Sequence, residues 1–181
     1  MKKVFATVFI FAFLCSNAAA GGKSSLEIYG DYMNVVIPLS AAVYSAVIGD
    51  WQGELQLAQS YAATIATTSI LKSTVNAERP SGGNRSFPSG HASSAFAGSA
   101  YWQMRYGWVF GAPMYAAATV VAYSRVYSEA HYWRDVAASA VIGIGFNYLF
   151  ASQYGNDDKS EWRMSFVPTP KGVNFNFSIR F

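Results

Sequence analysis

Cysteine is almost absent: Cys15 is the only one in 181 residues. It closes the apolar run VFATVFIFAFLC, which follows Lys2 and Lys3 and precedes Ser16-Asn17-Ala18-Ala19-Ala20. A charged start, a short apolar stretch and a small-residue end form the pattern of a secretory signal peptide, with cleavage expected after Ala20. The run is short for a membrane anchor. Phe13-Leu14 is too bulky before Cys15 for a lipoprotein signal. Without residues 1–20 the mature chain has no cysteine, which excludes disulfides and a thiol nucleophile in an exported protein. Stability must come from the core, and a chain of about 160 residues can bury one.

Charge is scarce too. Asp, Glu, Lys and Arg make up 13% of the residues and the net charge is +3, too weak a balance to argue for a nucleic-acid partner. There are only two histidines, His91 and His131. Internal repeats and low-complexity tracts are absent.

What the chain does have is apolar, helical sequence. Hydrophobic residues account for 52% and aromatics for 17%. Five runs predict helices, over about 33–49, 53–77, 89–106, 112–124 and 131–152, rich in Ala and small residues that suit close packing. Short connections make sequence neighbours antiparallel. The expected fold is an all-α antiparallel bundle in one domain, residues 21–160. The uncharged runs 106–124 and 136–156 are long enough to cross a bilayer. The second helix, however, carries Gln56, Gln59, Ser60, Thr64, Thr67, Thr68 and Ser69, which favours a soluble or surface-bound bundle. Residues 161–181 differ: Val173, Phe175, Phe177, Ile179 and Phe181 alternate with polar residues, the period of a strand. Residues 168–172 read as a turn and 162–167 as a partner strand, together a short C-terminal β-hairpin.

The stretch ERPSGGNRSFPSGHASS, residues 78–94, interrupts the helices with cations, glycines and serines. Lys72 and Arg79 are seven residues apart, two helical turns, so both can share a face. Ser89 is a plausible N-cap, and free N–H groups at a helix start attract an anion. Beyond Arg125, His131 and Asp135 stand at i and i+4, where a carboxylate can hold an imidazole and fix its tautomer. In an antiparallel bundle Lys72, Arg79, His91, Arg125 and His131 meet at one end. Taken singly, Lys72 and Arg125 read as solvated helix ends, His91 as a structural histidine and Ser89 as a cap. Arg85, Glu78 and Glu129 read as solvated loop charges. The joint pattern describes an oxyanion site.

Lys72-x6-Arg79-Pro80, Pro88-Ser89-Gly90-His91 and Ser124-Arg125-x5-His131-x3-Asp135 resemble the three-part signature of the type 2 phosphatidic acid phosphatase family, which includes class A acid phosphatases and vanadium haloperoxidases. Every signature position is filled. Only seven residues separate Pro80 from Pro88, which leaves little room for a lid. The resemblance implies an exported phosphatase of helical fold that needs no metal or cofactor. Its substrate would be a phosphomonoester or pyrophosphate, with a lipid met at a membrane surface as the leading class. In it His131 would be the nucleophile, Asp135 its partner and His91 the acid and base. Lys72, Arg79, Ser89, Gly90 and Arg125 would bind phosphate. Hydrolysis of soluble phosphoesters, vanadium haloperoxidase chemistry and a non-enzymatic lipid-binding role are the alternatives.

Overall fold

A computed structural model describes residues 22–155, 162–169 and 172–179 of the chain. The expected signal peptide, residues 1–20, lies outside the described residues. Five helices follow one another: α1 (Ser25–Ile48), α2 (Trp51–Val75), α3 (Gly90–Tyr106), α4 (Trp108–Tyr127) and α5 (Trp133–Phe150). Two strands close the chain, β1 (Trp162–Thr169) and β2 (Gly172–Ile179). The helical bundle is the fold that the sequence predicts.

Helix α1 begins well before residue 33, and its cap explains why. The Ser24 hydroxyl accepts from the Glu27 N–H, and the Glu27 carboxylate accepts from the Ser24 N–H. Pro38 lies inside the helix and has no N–H to give to the Asn34 carbonyl. Ser94 of α3 donates its hydroxyl to that carbonyl instead. The neighbouring turn of α3 carries Gly98, where a Cβ would stand 2.7 Å from the Pro38 nitrogen. Close approach at this glycine lets one helix repair the other. Helix α2 ends at Val75, before Pro80, because Asn76 adopts the left-handed conformation with φ 44°. Helix α4 starts at Trp108, earlier than expected, and takes Pro113 into its second turn.

Helix α3 packs against the other four helices. The core around it holds Met33, Ile37, Leu57, Tyr101, Trp102 and Val121. A second, polar seam joins α2 to α3 and α5. Ser60 donates to Asn147 Oδ1 (3.0 Å), Asn147 Nδ2 donates to the Ala97 carbonyl (2.9 Å), and Thr68 donates to Ser93 (2.9 Å). Gln56, Ser60, Thr64 and Thr68 are all buried. These polar residues of α2 therefore face inward, whereas Val35, Leu39, Val43 and Val47 form an exposed stripe on α1, with Val47 79% exposed. Their presence in α2 is thus no argument for a water-facing helix. Among the described residues α1 is the one helix long and apolar enough to cross a membrane.

At one end of the bundle, where α1 meets α2 and α3 meets α4, Arg105 is buried against Asp50. Its Nη2 and Nε donate to the two carboxylate oxygens, and Nη1 donates to the Ser152 carbonyl (3.0 Å). Tyr106 and the Gly53 N–H also donate to Asp50. This end is closed.

Strands β1 and β2 pair antiparallel, with Trp162 opposite Ile179 and Thr169 opposite Gly172. Pro168 and Thr169, expected in the turn, belong to the ladder, facing Val173 and Gly172.

Candidate active site

The three motifs meet at the other end of the bundle. Lys72 lies in the last turn of α2. Arg79 does not continue that helix: it sits in the loop, where its Nε donates to the Asn84 carbonyl (3.2 Å). The expected shared helix face is replaced by a folded loop. Lys72 Nζ donates to the Arg85 carbonyl (2.9 Å), and the Ser86 N–H donates to the Ala77 carbonyl (2.8 Å). The Ser81 N–H donates to the Glu129 carbonyl (3.1 Å), which ties this loop to the turn between α4 and α5.

Ser89 is the N-cap of α3, and its buried hydroxyl accepts from the Ala92 N–H (3.4 Å). Its carbonyl accepts from Ser139 of α5 (2.8 Å), so the start of α3 is pinned to α5. A Cβ at Gly90 would meet no protein atom within 4 Å. The N-terminus of α3 at Gly90 thus has space beside it for an anion. His91 follows, half-exposed.

His131 precedes α5, which starts at Trp133 after the cap residue Tyr132, so His131 and Asp135 do not share a helix face. The His131 N–H donates to the Arg125 carbonyl (3.1 Å), which fixes the turn. The imidazole is buried, 4% exposed. Its Nδ1 is 3.7 Å from Asp135 Oδ2, too far for the expected hydrogen bond. The reason is local: Asp135 Oδ2 already accepts from the Ser86 hydroxyl and from the Tyr132 N–H (2.9 Å). His131 Nδ1 and Asp135 Oδ1 are both buried without a hydrogen-bond partner. Burial pushes the His131 imidazole down to about 4, helped by the charges of Lys72 and Arg79, against a backbone hydrogen bond with Ser86 and the Asp135 charge. The ring is therefore neutral near pH 7 and keeps a lone pair for nucleophilic attack.

Arg125 is not a solvated helix end. It is buried, and each branch of its guanidinium has a partner: Nε donates to Ser124 Oγ (3.0 Å), Nη1 to Asp31 Oδ1 (2.8 Å) and Nη2 to the Glu27 carbonyl (2.8 Å). The cations thus form two groups. Lys72 and Arg79 act on His131; Arg125 and Lys23 act on His91 together with Asp31. Sequence reasoning missed two residues here, Ser86 and Asp31. Ser86 lay inside the quoted loop, and its place before Phe87-Pro88 was the available signal. Asp31 had none, because it lies outside all three motifs.

Residues 81–159 match the family model of the PAP2 superfamily, a span that contains the second and third motifs. Over that span the chain is similar to the PAP2 superfamily. The "Lipid A 4'-phosphatase" of Helicobacter pylori is 28% identical over 167 residues, which cover 85% of this chain and 84% of that protein. The crystal structure of Aquifex aeolicus LpxE superposes with a TM-score of 0.59 at 19% identity, covering 77% of this chain and 91% of the other. That likeness shows the shared PAP2 fold. Lys72, Arg79 and Pro80 lie just before the matched span, and the fold brings that motif to the same end as the others.

Proposed function

We propose that this chain is a PAP2-type phosphatase that removes a phosphate monoester from a lipid, of the lipid A type, through a phosphohistidine intermediate. The observation that carries the mechanism is His131: a buried, neutral imidazole with an unpartnered nitrogen beside Asp135 and the cations Lys72 and Arg79. The likeness to a lipid A 4'-phosphatase over most of both chains supports the substrate class.

The chemistry follows from the charges. A ring nitrogen of His131 attacks phosphorus as the bond to the lipid oxygen breaks. His91 gives a proton to that leaving oxygen. Lys72, Arg79, Arg125, the Ser89 hydroxyl and the Gly90 N–H hold the three phosphoryl oxygens, where charge accumulates. Asp135 stabilises the imidazolium. His91, now deprotonated, takes a proton from water, whose oxygen attacks phosphorus and releases inorganic phosphate and His131. Export to the periplasm and association with a membrane complete the proposal. The exposed stripe Val35, Leu39, Val43 and Val47 supplies an apolar contact for lipid.

The test is phosphate release by purified protein in EDTA. The substrates are lipid A bearing its phosphates, phosphatidic acid, undecaprenyl pyrophosphate and p-nitrophenyl phosphate, with His131→Ala as control. Release from lipid A that vanishes in the variant is the expected result, and mass spectrometry of the product identifies the phosphate lost. Preference for the soluble ester would overturn the lipid assignment. Undiminished release by the variant would overturn the phosphohistidine.

A further inference from the structure

Asp31 belongs to none of the three motifs, yet two cationic side chains and an imidazole converge on it. Its Oδ1 accepts from Arg125 Nη1 (2.8 Å) and lies 3.3 Å from His91 Nε2; its Oδ2 accepts from Lys23 Nζ (2.7 Å). The packing around it is specific. Gly30, the residue before it, lies so close to α4 that a Cβ there would be 2.1 Å from Ser124 Oγ and 2.6 Å from Arg125 Nη2. This close approach lets the Arg125 guanidinium lie on the backbone of α1 and reach the Glu27 carbonyl. Helix α1 therefore enters the site through one carboxylate that touches both a phosphate-binding cation and the acid.

We propose that Asp31 is a positioning residue for phosphoryl transfer: its carboxylate holds His91 and Arg125 as one unit and keeps His91 able to protonate the leaving oxygen. This rests on the phosphatase reading above. Three kinds of group face His91. Burial pushes its imidazole down, as do the charges of Arg125 from α4 and of Lys23 ahead of α1; the charge and hydrogen bond of Asp31 from α1 oppose them. Without the Asp31 charge nothing offsets the two cations. The protonated form of His91 then becomes scarcer near neutral pH, and Arg125 loses the ion pair that aims it. With Nε2 turned to Asp31, Nδ1 is the nitrogen available to the leaving oxygen.

The experiment compares Asp31→Asn and Asp31→Glu with the unmodified protein, using kcat/KM across pH on an alkyl phosphate and on p-nitrophenyl phosphate. An alkoxide needs a proton to leave; p-nitrophenolate does not. Asp31→Asn is expected to lose about 10- to 100-fold on the alkyl ester, the size of a general-acid contribution, and less than about 5-fold on the nitrophenyl ester. The basic limb of its pH profile should move to lower pH. Asp31→Glu should recover part of the loss. Equal losses on both esters, or an unmoved basic limb, would reduce Asp31 to a structural ion pair and sink the proposal. A readout independent of turnover exists because the chain has two histidines. In a His131→Asn background, NMR titration follows His91 alone, and Asp31→Asn should lower its midpoint by about half a unit to one unit. An unchanged midpoint overturns the proposal even if the phosphatase reading holds. An inactive parent protein with a shifted midpoint would instead overturn the phosphatase reading.

Discussion

At the closed end of the bundle, Asp50 answers Arg105 with both carboxylate oxygens, and Tyr106, Gly53 and Ser152 complete the network. At the site end, Asp135 and His131 are just as deeply buried, and each leaves one polar atom without a hydrogen bond. Both ends bear the cost of removing charge from water. Only the closed end recovers it internally. A site that keeps partners in reserve is less stable than it could be, and it is ready for a ligand that supplies them. The phosphoryl group, with three oxygens and changing charge, is such a ligand.

The sharpest way to break this comparison is to remove one residue from each end. His131→Ala should lower kcat by about 10⁴-fold or more, since the proposed nucleophile is gone, with a melting temperature close to that of the parent. Asp50→Ala should do the reverse. It leaves Arg105 charged and buried without its carboxylate, at a cost of about 3–5 kcal/mol in unfolding free energy, while any folded protein retains its turnover. Denaturant unfolding and phosphate release on the same two variants check this. Similar effects on both quantities at both ends would erase the distinction.

Next in size is Arg125→Lys. Each arm of this arginine has a different partner, a hydroxyl, a carboxylate and a carbonyl. An ammonium cannot reach all three. A fall of about 10- to 100-fold in kcat/KM is expected, with inhibition by inorganic phosphate weakened in step. Arg105→Lys at the closed end should change stability and leave that inhibition alone.

The contrast between the ends was only partly legible in the sequence. Lys72, Arg79, Ser89, Gly90, His91, Arg125, His131 and Asp135 sit in short spacings, and antiparallel helices carry them to one end. Local geometry was harder. The i,i+4 spacing of His131 and Asp135 suggests a shared helix face, but the helix starts after His131, and Asp135 serves the Tyr132 N–H and Ser86 instead. Asp31 could not be read at all: it is 94 positions from Arg125, and their pairing depends on the close approach of α1 to α4 at Gly30. Which way the polar residues of α2 face was not legible for a similar reason. Gln56, Ser60, Thr64 and Thr68 recur every four residues whether they face water or a polar seam, and only the positions of Asn147 and Ser93 decide between the two.

Acid should weaken the site end first. His131 has a native value of about 4, below the 6.5 of a free imidazole, so between those values the unfolded chain binds a proton that the native protein refuses. Its contribution to stability is complete above pH 6.5 and is lost as pH falls toward 4, by about 1.4 kcal/mol for each unit crossed. His91, also held below its ordinary value, acts in the same direction. His131→Asn should therefore flatten, without abolishing, the decline in unfolding free energy over that range. An unchanged slope would mean that the imidazole is not protected from protons in the folded state.

The smallest effect separates two glycines of the site. Gly30→Ala forces a Cβ into Ser124 and Arg125, where neither side chain can retreat without giving up a hydrogen bond. It should cost about 1–3 kcal/mol as an overpacked contact and lower activity through Arg125. Gly90→Ala places the same methyl group where no protein atom lies within 4 Å, and the φ of Gly90 is not in the left-handed region. Its stability should stay within about 0.5 kcal/mol of the parent. If the phosphate rests on the Gly90 N–H, this silent methyl should still raise KM several-fold, because the space it enters is the ligand's. A Gly90→Ala protein with unchanged stability and unchanged KM would place the phosphate elsewhere in the loop, and with it the anion site at the start of α3.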